Sequence, residues 1–349
     1  MLVIRPIEQR DFPALKQFAI ESGHGFTSLP VNDELLQSKL SLSIASFAKR
    51  APSKGESLYF FVAEDTHTGE VMGTCAIDGA VGLSAPFYNY LLGKQVHSST
   101  RLGIYNVVET LTLTNDYTGV SELCTLFLRE PARHGLNGRL LSKCRFLFLA
   151  EFSELFDQRI LAEMRGVSDE KGNSPFWCWL QEHFFSMDFS TVDYLTGIGR
   201  KGFIADLMPK FPIYVSLLSK EAKSVIGITH DNTRPALRML EEEGFRWRGY
   251  VDIFDAGPSV ECELSHIHSV RTSRRLTVGI LEQQQYSAHA DKHTYLLSNI
   301  EFKHFRALIA EAVIDEDKQQ VMLHKDIATL LKVKEGDTVR LVKLTHPQS

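Results

Sequence analysis

The sequence predicts an α/β protein in the α+β sense. It calls for a mixed, mostly antiparallel sheet, a large insertion at about residues 158–224 and a small β-rich C-terminal subdomain. Three observations predict it. The apolar run 123–128 passes through Arg133-His134-Gly135-Leu136-Asn137-Gly138 into a helical pattern. A second helical pattern, 234–243, stops at Gly244 and gives way to the alternating run 245–254. After Pro258 the composition shifts to short strand-like runs. The chain therefore divides into 1–258 and 259–349.

Taken in order, residues 2–6 read as a first strand. Asp11 then caps an amphipathic helix with Phe12, Leu15, Phe18 and Ala19 at helical spacing and Pro13 in its first turn. A Gly-bearing loop, 22–30, leads to a second helix at 33–50. Residues 58–63 and 71–77 flank the polar turn 64–70 and predict a β-hairpin. A strand at 107–114 precedes the central run 123–128, and a long apolar-faced helix covers 138–157.

Within the insertion, 159–164 reads as a strand, Phe176, Trp177 and Trp179 as core or subunit contact, and 203–208 and 214–218 as helical patches. Residues 225–228 read as a short strand. In the tail, 295–297, 305–310 and 321–323 are strand-like. A short helix from Ile327 then leads through the turn Glu335-Gly336-Asp337 to an edge strand. Nothing repeats at a 20–50-residue period, which excludes a solenoid.

Composition narrows the classes. The 349 residues are 44% hydrophobic and 23% charged, ordinary for a globular protein with ample core. A net charge of -5 without a Lys/Arg-rich block argues against nucleic acid as a partner. No apolar run reaches the ~18 residues of a membrane span, and the N-terminus lacks the apolar stretch of a secretory signal. Five scattered cysteines without a C-x-x-C pair fit reduced thiols in a cytoplasmic protein. The 13 histidines show no ligand spacing, so no metal is expected. The run Glu241-Glu242-Glu243 reads as a solvated helix end.

A strand turning through an Arg/Gly-bearing loop into a helix presents backbone N–H groups and a positive helix end, which suits a pyrophosphate. The opening 3–6 with Asp11, the hairpin around Gly73, the loop from Arg133 to Gly138, and Asn232, Ala236, Gly244 and Phe245 together resemble the acyl-CoA N-acyltransferase (GNAT) superfamily. Two positions depart from its pattern: Leu136 stands where a middle glycine is expected, and Leu240 where many members carry an acid tyrosine. Longer strings narrow the likeness across nearly the whole chain to the arginine N-succinyltransferase family. They are Ser28-Leu29-Pro30, 121–128, Ala162-Glu163-Met164-Arg165-Gly166, Ser174-Pro175-Phe176-Trp177, 184–189 and 252–258.

That resemblance implies direct transfer of succinyl from succinyl-CoA, a co-substrate rather than a bound cofactor, to the α-amino group of L-arginine. It implies Glu122 as general base, and CoA binding by Leu126, Leu128, Arg133, Gly135, Asn137 and Gly138. Arginine's guanidinium calls for a carboxylate, with Asp116, Glu163 and Asp255 as candidates; its carboxylate calls for Arg165, Ser28 or Thr27, with His24 lining the acceptor pocket. A homo-oligomer and a hetero-oligomer with a related chain both fit. The rival readings are ornithine or another amine as acceptor, another acyl donor, and a non-catalytic regulatory subunit.

Overall fold

The computed structural model describes residues 1–23, 28–49, 54–169, 172–184, 207–282 and 291–344, with Met187, Thr191, Leu195 and Tyr286. Strand β1 (Leu2–Pro6) is followed by helices α1 (Phe12–Glu21) and α2 (Asp33–Ala48). The hairpin β2 (Leu58–Asp65) and β3 (Val71–Asp78) forms as expected. Next come β4 (Asn89–Ser99), β5 (Ile104–Thr114), the central β6 (Ser121–Leu128), α3 (Asn137–Glu151) and β7 (Arg159–Glu163). Helix α4 (Pro175–Phe184), β8 (Ile213–Tyr214), α5 (Lys220–Ser224), α6 (Arg234–Glu243), β9 (Arg246–Asp252) and β10 (Pro258–Glu263) complete the larger part. The remainder holds α7 (His268–Thr272), β11 (Arg274–Leu281), β12 (His293–Asn299), β13 (Ala307–Asp315), β14 (Gln320–His324), α8 (Lys325–Leu331) and β15 (Thr338–Lys343).

One 15-stranded sheet runs β12-β15-β11-β14-β13-β1-β2-β3-β6-β7-β10-β9-β4-β5-β8. Among the described strands only β6–β7 and β11–β14 pair in parallel; the other pairs are antiparallel, so the sheet is mixed and mostly antiparallel as the sequence predicts. β12 also pairs with β13, which closes β11 to β15 into a five-stranded barrel filled by Val278, Leu297, Leu308, Val321 and Val339. β15 is therefore interior to the barrel, between β12 and β11, and not the edge strand expected: closure leaves no edge there.

Other expectations give way to packing. Asp11 makes no side-chain cap. Its carboxylate takes the buried Arg5 guanidinium in a two-bond fork, 2.7 and 2.9 Å, because a buried cation needs an acid more than a helix start needs a cap. Arg5 also bonds Glu64 on β2, which clamps β1 in place. Residues 225–228 are a turn after α5, with Gly227 at φ 71 under the Trp247 ring, where a Cβ would come within 2.6 Å of it. β7 lies inside the main sheet. β10 pairs with β7 and β9, so the fold changes later along the chain than the composition does. Phe176, Trp177 and Trp179 are buried with Tyr90, Val251 and Phe254, in keeping with a core role. The patch 203–206 lies outside the described residues. Among the described residues no helix is long and apolar enough to cross a membrane.

β4 and β5 pair over their full eleven residues, yet β9 covers only Asn89–Leu91 and β8 only Thr110 and Leu111. The distal half is a two-stranded ribbon carrying exposed Val96, Leu102, Ile104, Tyr105 and Val107.

Candidate active site

The site forms where β6 parts from β7. Their parallel register consists of Ser121 with Ile160 and Glu122 with Leu161. β6 continues six residues further without a registered β7 partner, so the two strands part beyond Glu122 on the way to the loop before α3. On its other side β6 pairs with β3, but the register slips between Thr74/Phe127 and Ala76/Cys124. The extra residue is at Thr125, held at φ 56, a left-handed conformation that a β-branched residue adopts only under strain.

The bulge reverses the facing of the strand. Leu123 packs in the cluster under α3 and Cys124 in the cluster under α1 and α2; past the bulge, Leu126 and Leu128 join the α3 cluster and Phe127 the α1/α2 cluster. Leu126 and Leu128 thus lie along the open part of β6. Glu122 stands at the vertex of the gap, within the strand rather than ahead of it, opposite Asp78 of β3.

The loop after β6 explains the leucine in the middle of its motif. Leu136 occupies the N-cap of α3 and makes no side-chain cap bond. The first amide bonded within the helix is that of Leu140, to the Leu136 carbonyl at 2.8 Å. The amides of Gly138 and Arg139 precede it, where an α-helix has no internal acceptor for them. A Cβ on Gly138 would meet nothing within 4 Å, so the space before the helix start is open. Gly135, at φ 55, makes the turn, and the Asn137 side chain donates to the Ala132 carbonyl at 3.0 Å. The Arg133 side chain lies back along the strand end, donating to the Leu128 carbonyl at 2.7 Å with its guanidinium 5.9 Å from the Phe127 ring centre. Among the described residues no side chain fills this helix start, whose free amides suit an anion.

The acceptor candidates separate. Glu163 ends β7 and accepts from Asn89 at 2.8 Å. Arg165, just beyond, donates to Ser168 at 2.8 Å. Ser28 lies in the α1–α2 connection, its carbonyl bonded by Lys39; His24 and Thr27 fall outside the described residues. Asp116 is exposed at the opposite end of β6, bonded by the Tyr250 hydroxyl at 2.8 Å, and does not join the group. Asp255 is buried, and its two oxygens accept from the amides of Gly166 and Gly257. Burial and the neighbouring Asp252 charge push its carboxyl well up, so it braces the β7 exit instead of meeting a guanidinium.

Sequence reasoning missed His230. Its amide bonds the Arg165 carbonyl at 2.9 Å, and the adjacent Thr229 bridges Gly166, so it sits at the exit of β7. Burial first, then the Arg165 charge, lowers the imidazole pKa. Nδ1 accepts from the Asn232 amide at 3.2 Å, which assigns the neutral ring's proton to Nε2. The result is a neutral ring whose remaining N–H bonds the Ser168 backbone; exchanging that bond for a carbonyl oxygen or a thiolate would let it meet developing negative charge. One signal was available: His230 lies two residues before the Asn232 that anchors the late motif.

Cys124 is no nucleophile. Burial, with Glu122 and Asp78 nearby, pushes its thiol up to about 12, leaving almost no thiolate at neutral pH. All five cysteines are free thiols. Among the described residues no cluster of three or more metal-ligating side chains occurs.

Known proteins share this chain's sequence and fold. Residues 2–269 match the family described as arginine N-succinyltransferase beta subunit, and residues 274–343 its C-terminal domain. The chain belongs to the arginine N-succinyltransferase family. It is 49% identical to the arginine N-succinyltransferase of Citrobacter koseri over 344 residues, 99% of this chain and 98% of the relative. The Salmonella schwarzengrund enzyme of the same name is 48% identical over the same span. Among solved structures, the arginine/ornithine succinyltransferase subunit AI of Pseudomonas aeruginosa superposes with a TM-score of 0.89 at 35% identity, covering 99% of both chains. In this family member the two stretches matching the family meet between β10 and β11.

Proposed function

We propose that this chain is an arginine N-succinyltransferase: the α-amine of L-arginine attacks the thioester of succinyl-CoA directly. What carries the reading is the interrupted β6–β7 pairing, bulged at Thr125 and leading to the uncapped start of α3, in a chain that matches this family from end to end. The pyrophosphate lies against the amides of Gly138 and Arg139, with Gly135, Asn137 and Arg133 around it. The pantetheine runs along Leu126 and Leu128, replacing the missing strand neighbour. A backbone N–H past the bulge polarises the carbonyl.

The amine nitrogen forms the new N–C bond as Glu122 takes its proton, and the C–S bond breaks to release CoA thiolate. The His230 Nε2–H stabilises the departing charge, the role left open by Leu240. Glu163 and Arg165 meet the guanidinium and carboxylate of arginine, with Ser28 on the facing loop.

The test is thiol release by the purified single chain, with succinyl- and acetyl-CoA against arginine, ornithine and lysine. Expected are α-N-succinylarginine and intersecting double-reciprocal plots. Absence of turnover would leave a regulatory subunit; parallel plots would mean a covalent intermediate. The name of the Pseudomonas relative favours ornithine as a second acceptor.

Assembly belongs to the same reading. A bare two-stranded ribbon is marginal in water, and the distal β4–β5 arm shows apolar side chains along an edge that β8 covers at only two residues. A second copy of the chain covers it, pairing through β5. Light scattering is expected to show a dimer or higher oligomer, and Tyr105→Asp with Val107→Asp to shift it toward monomer. A wild-type monomer at micromolar concentration contradicts this.

A further inference from the structure

Three cations are buried among the described residues: Arg5, Lys143 and Arg145. Two are matched. Arg5 has Asp11 and Glu64, and Lys143 has Glu243 at 2.7 Å. Arg145, only 2% exposed, has no carboxylate. Its Nε donates to the Ser142 carbonyl, one terminal nitrogen to the Ser142 hydroxyl at 3.2 Å, and the other to the Cys124 carbonyl at a long 3.5 Å. A guanidinium has five N–H donors and keeps its charge when buried, so three neutral acceptors leave it under-satisfied. Elsewhere this fold supplies such a charge with an acid.

Its place makes the omission informative. Cys124 is the residue before the Thr125 bulge and within two residues of Glu122, on the strand where the acyl group arrives. Arg145 is seven residues along α3 from Gly138, about 10 Å from the pyrophosphate end. We propose that Arg145 receives the free carboxylate of the succinyl group and so selects a dicarboxylic acyl donor over acetyl-CoA. The proposal rests on the acyltransferase reading. It assigns the anion that completes a buried charge pair to the substrate.

The test is titration calorimetry of the full chain with succinyl-CoA, acetyl-CoA and succinamoyl-CoA, the last a neutral isostere of the first. The wild type is expected to favour succinyl-CoA over both others by about 10- to 100-fold, the range for hydrogen bonds between charged groups. Arg145→Gln is expected to bring that ratio close to one, and Arg145→Lys to restore part of it. A wild type that binds succinamoyl-CoA as tightly as succinyl-CoA overturns the proposal, whether or not the variants fold. So does an Arg145→Gln chain that weakens on all three ligands alike, since that marks support of the bulge only. A charge-dependent preference in a chain that releases no thiol with arginine would keep this proposal and remove the reaction proposed above.

Discussion

Replacing Glu122 by glutamine is expected to lower kcat for arginine succinylation by about 10²–10⁴-fold, the usual worth of a positioned general base. Succinyl-CoA affinity should hold, because the proposed CoA contacts lie further along β6 and at α3. The physical reason is position. Glu122 is in the last registered β6–β7 pair, at the vertex where the gap begins. Arginine's α-amine is mostly protonated at neutral pH and must lose a proton to attack.

The matching change at the other wall, His230→Ala, removes an N–H donor and is expected to lower kcat by about 10²–10³-fold. The two are distinguishable. Raising the pH supplies neutral amine and should recover part of the Glu122→Gln loss but none of the His230→Ala loss. Steady-state kinetics from pH 6 to 9 on folded variants checks both. A Glu122→Gln enzyme with wild-type kcat throughout would remove the carboxylate from the mechanism.

Truncating Glu243 to alanine is expected to destabilise the fold by about 3–5 kcal/mol, the range for breaking a buried ion pair from one side. Glu243 is fully buried at the end of α6. It takes Lys143 of α3 at 2.7 Å and the amide and hydroxyl of Ser269 of α7 at 2.6 and 2.7 Å. Its loss would strand a Lys143 that is 7% exposed and leave the start of α7 without an acceptor. The pairing of Glu242 with Arg139 and Lys143 survives but spans 3.3–3.9 Å on a half-exposed acid. Denaturant unfolding with an unchanged m-value should report the loss as a lower midpoint. The double variant Lys143→Met, Glu243→Leu should recover most of it, since removing both charges removes the orphan. A single variant as stable as wild type would show that α3 and α6 are held by apolar contact alone.

This triplet marks the limit of reading a helix end by itself. Glu241-Glu242-Glu243 looks like a solvated terminus with the wrong charge for the dipole. In the fold two of the three face basic residues of α3, about a hundred positions earlier in the chain. The missed β4 has a similar cause. Its sequence, NYLLGKQVHSS, lacks alternation because the distal ribbon has no buried face to pattern. β11 escaped notice too, and the tail's last strand was misplaced, because a barrel closes through partners distant in sequence.

What the sequence determined by itself was local: the strand-loop-helix from β6 to α3, the helix 234–243 with its left-handed Gly244, the early hairpin and the apolar contact role of Trp177 and Trp179. Each follows from side-chain period and from residues with special backbone freedom, which act over a few positions. The family likeness implied a common site for Glu122, Leu126 and the Gly138 loop. Only the tertiary structure decided that Thr125 bulges, that β6 and β7 part after Glu122, that His230 stands at the exit of β7 and that Arg145 is buried without an acid. Those are properties of register and burial, set by pairings between residues tens to hundreds of positions apart, where composition and period carry no signal.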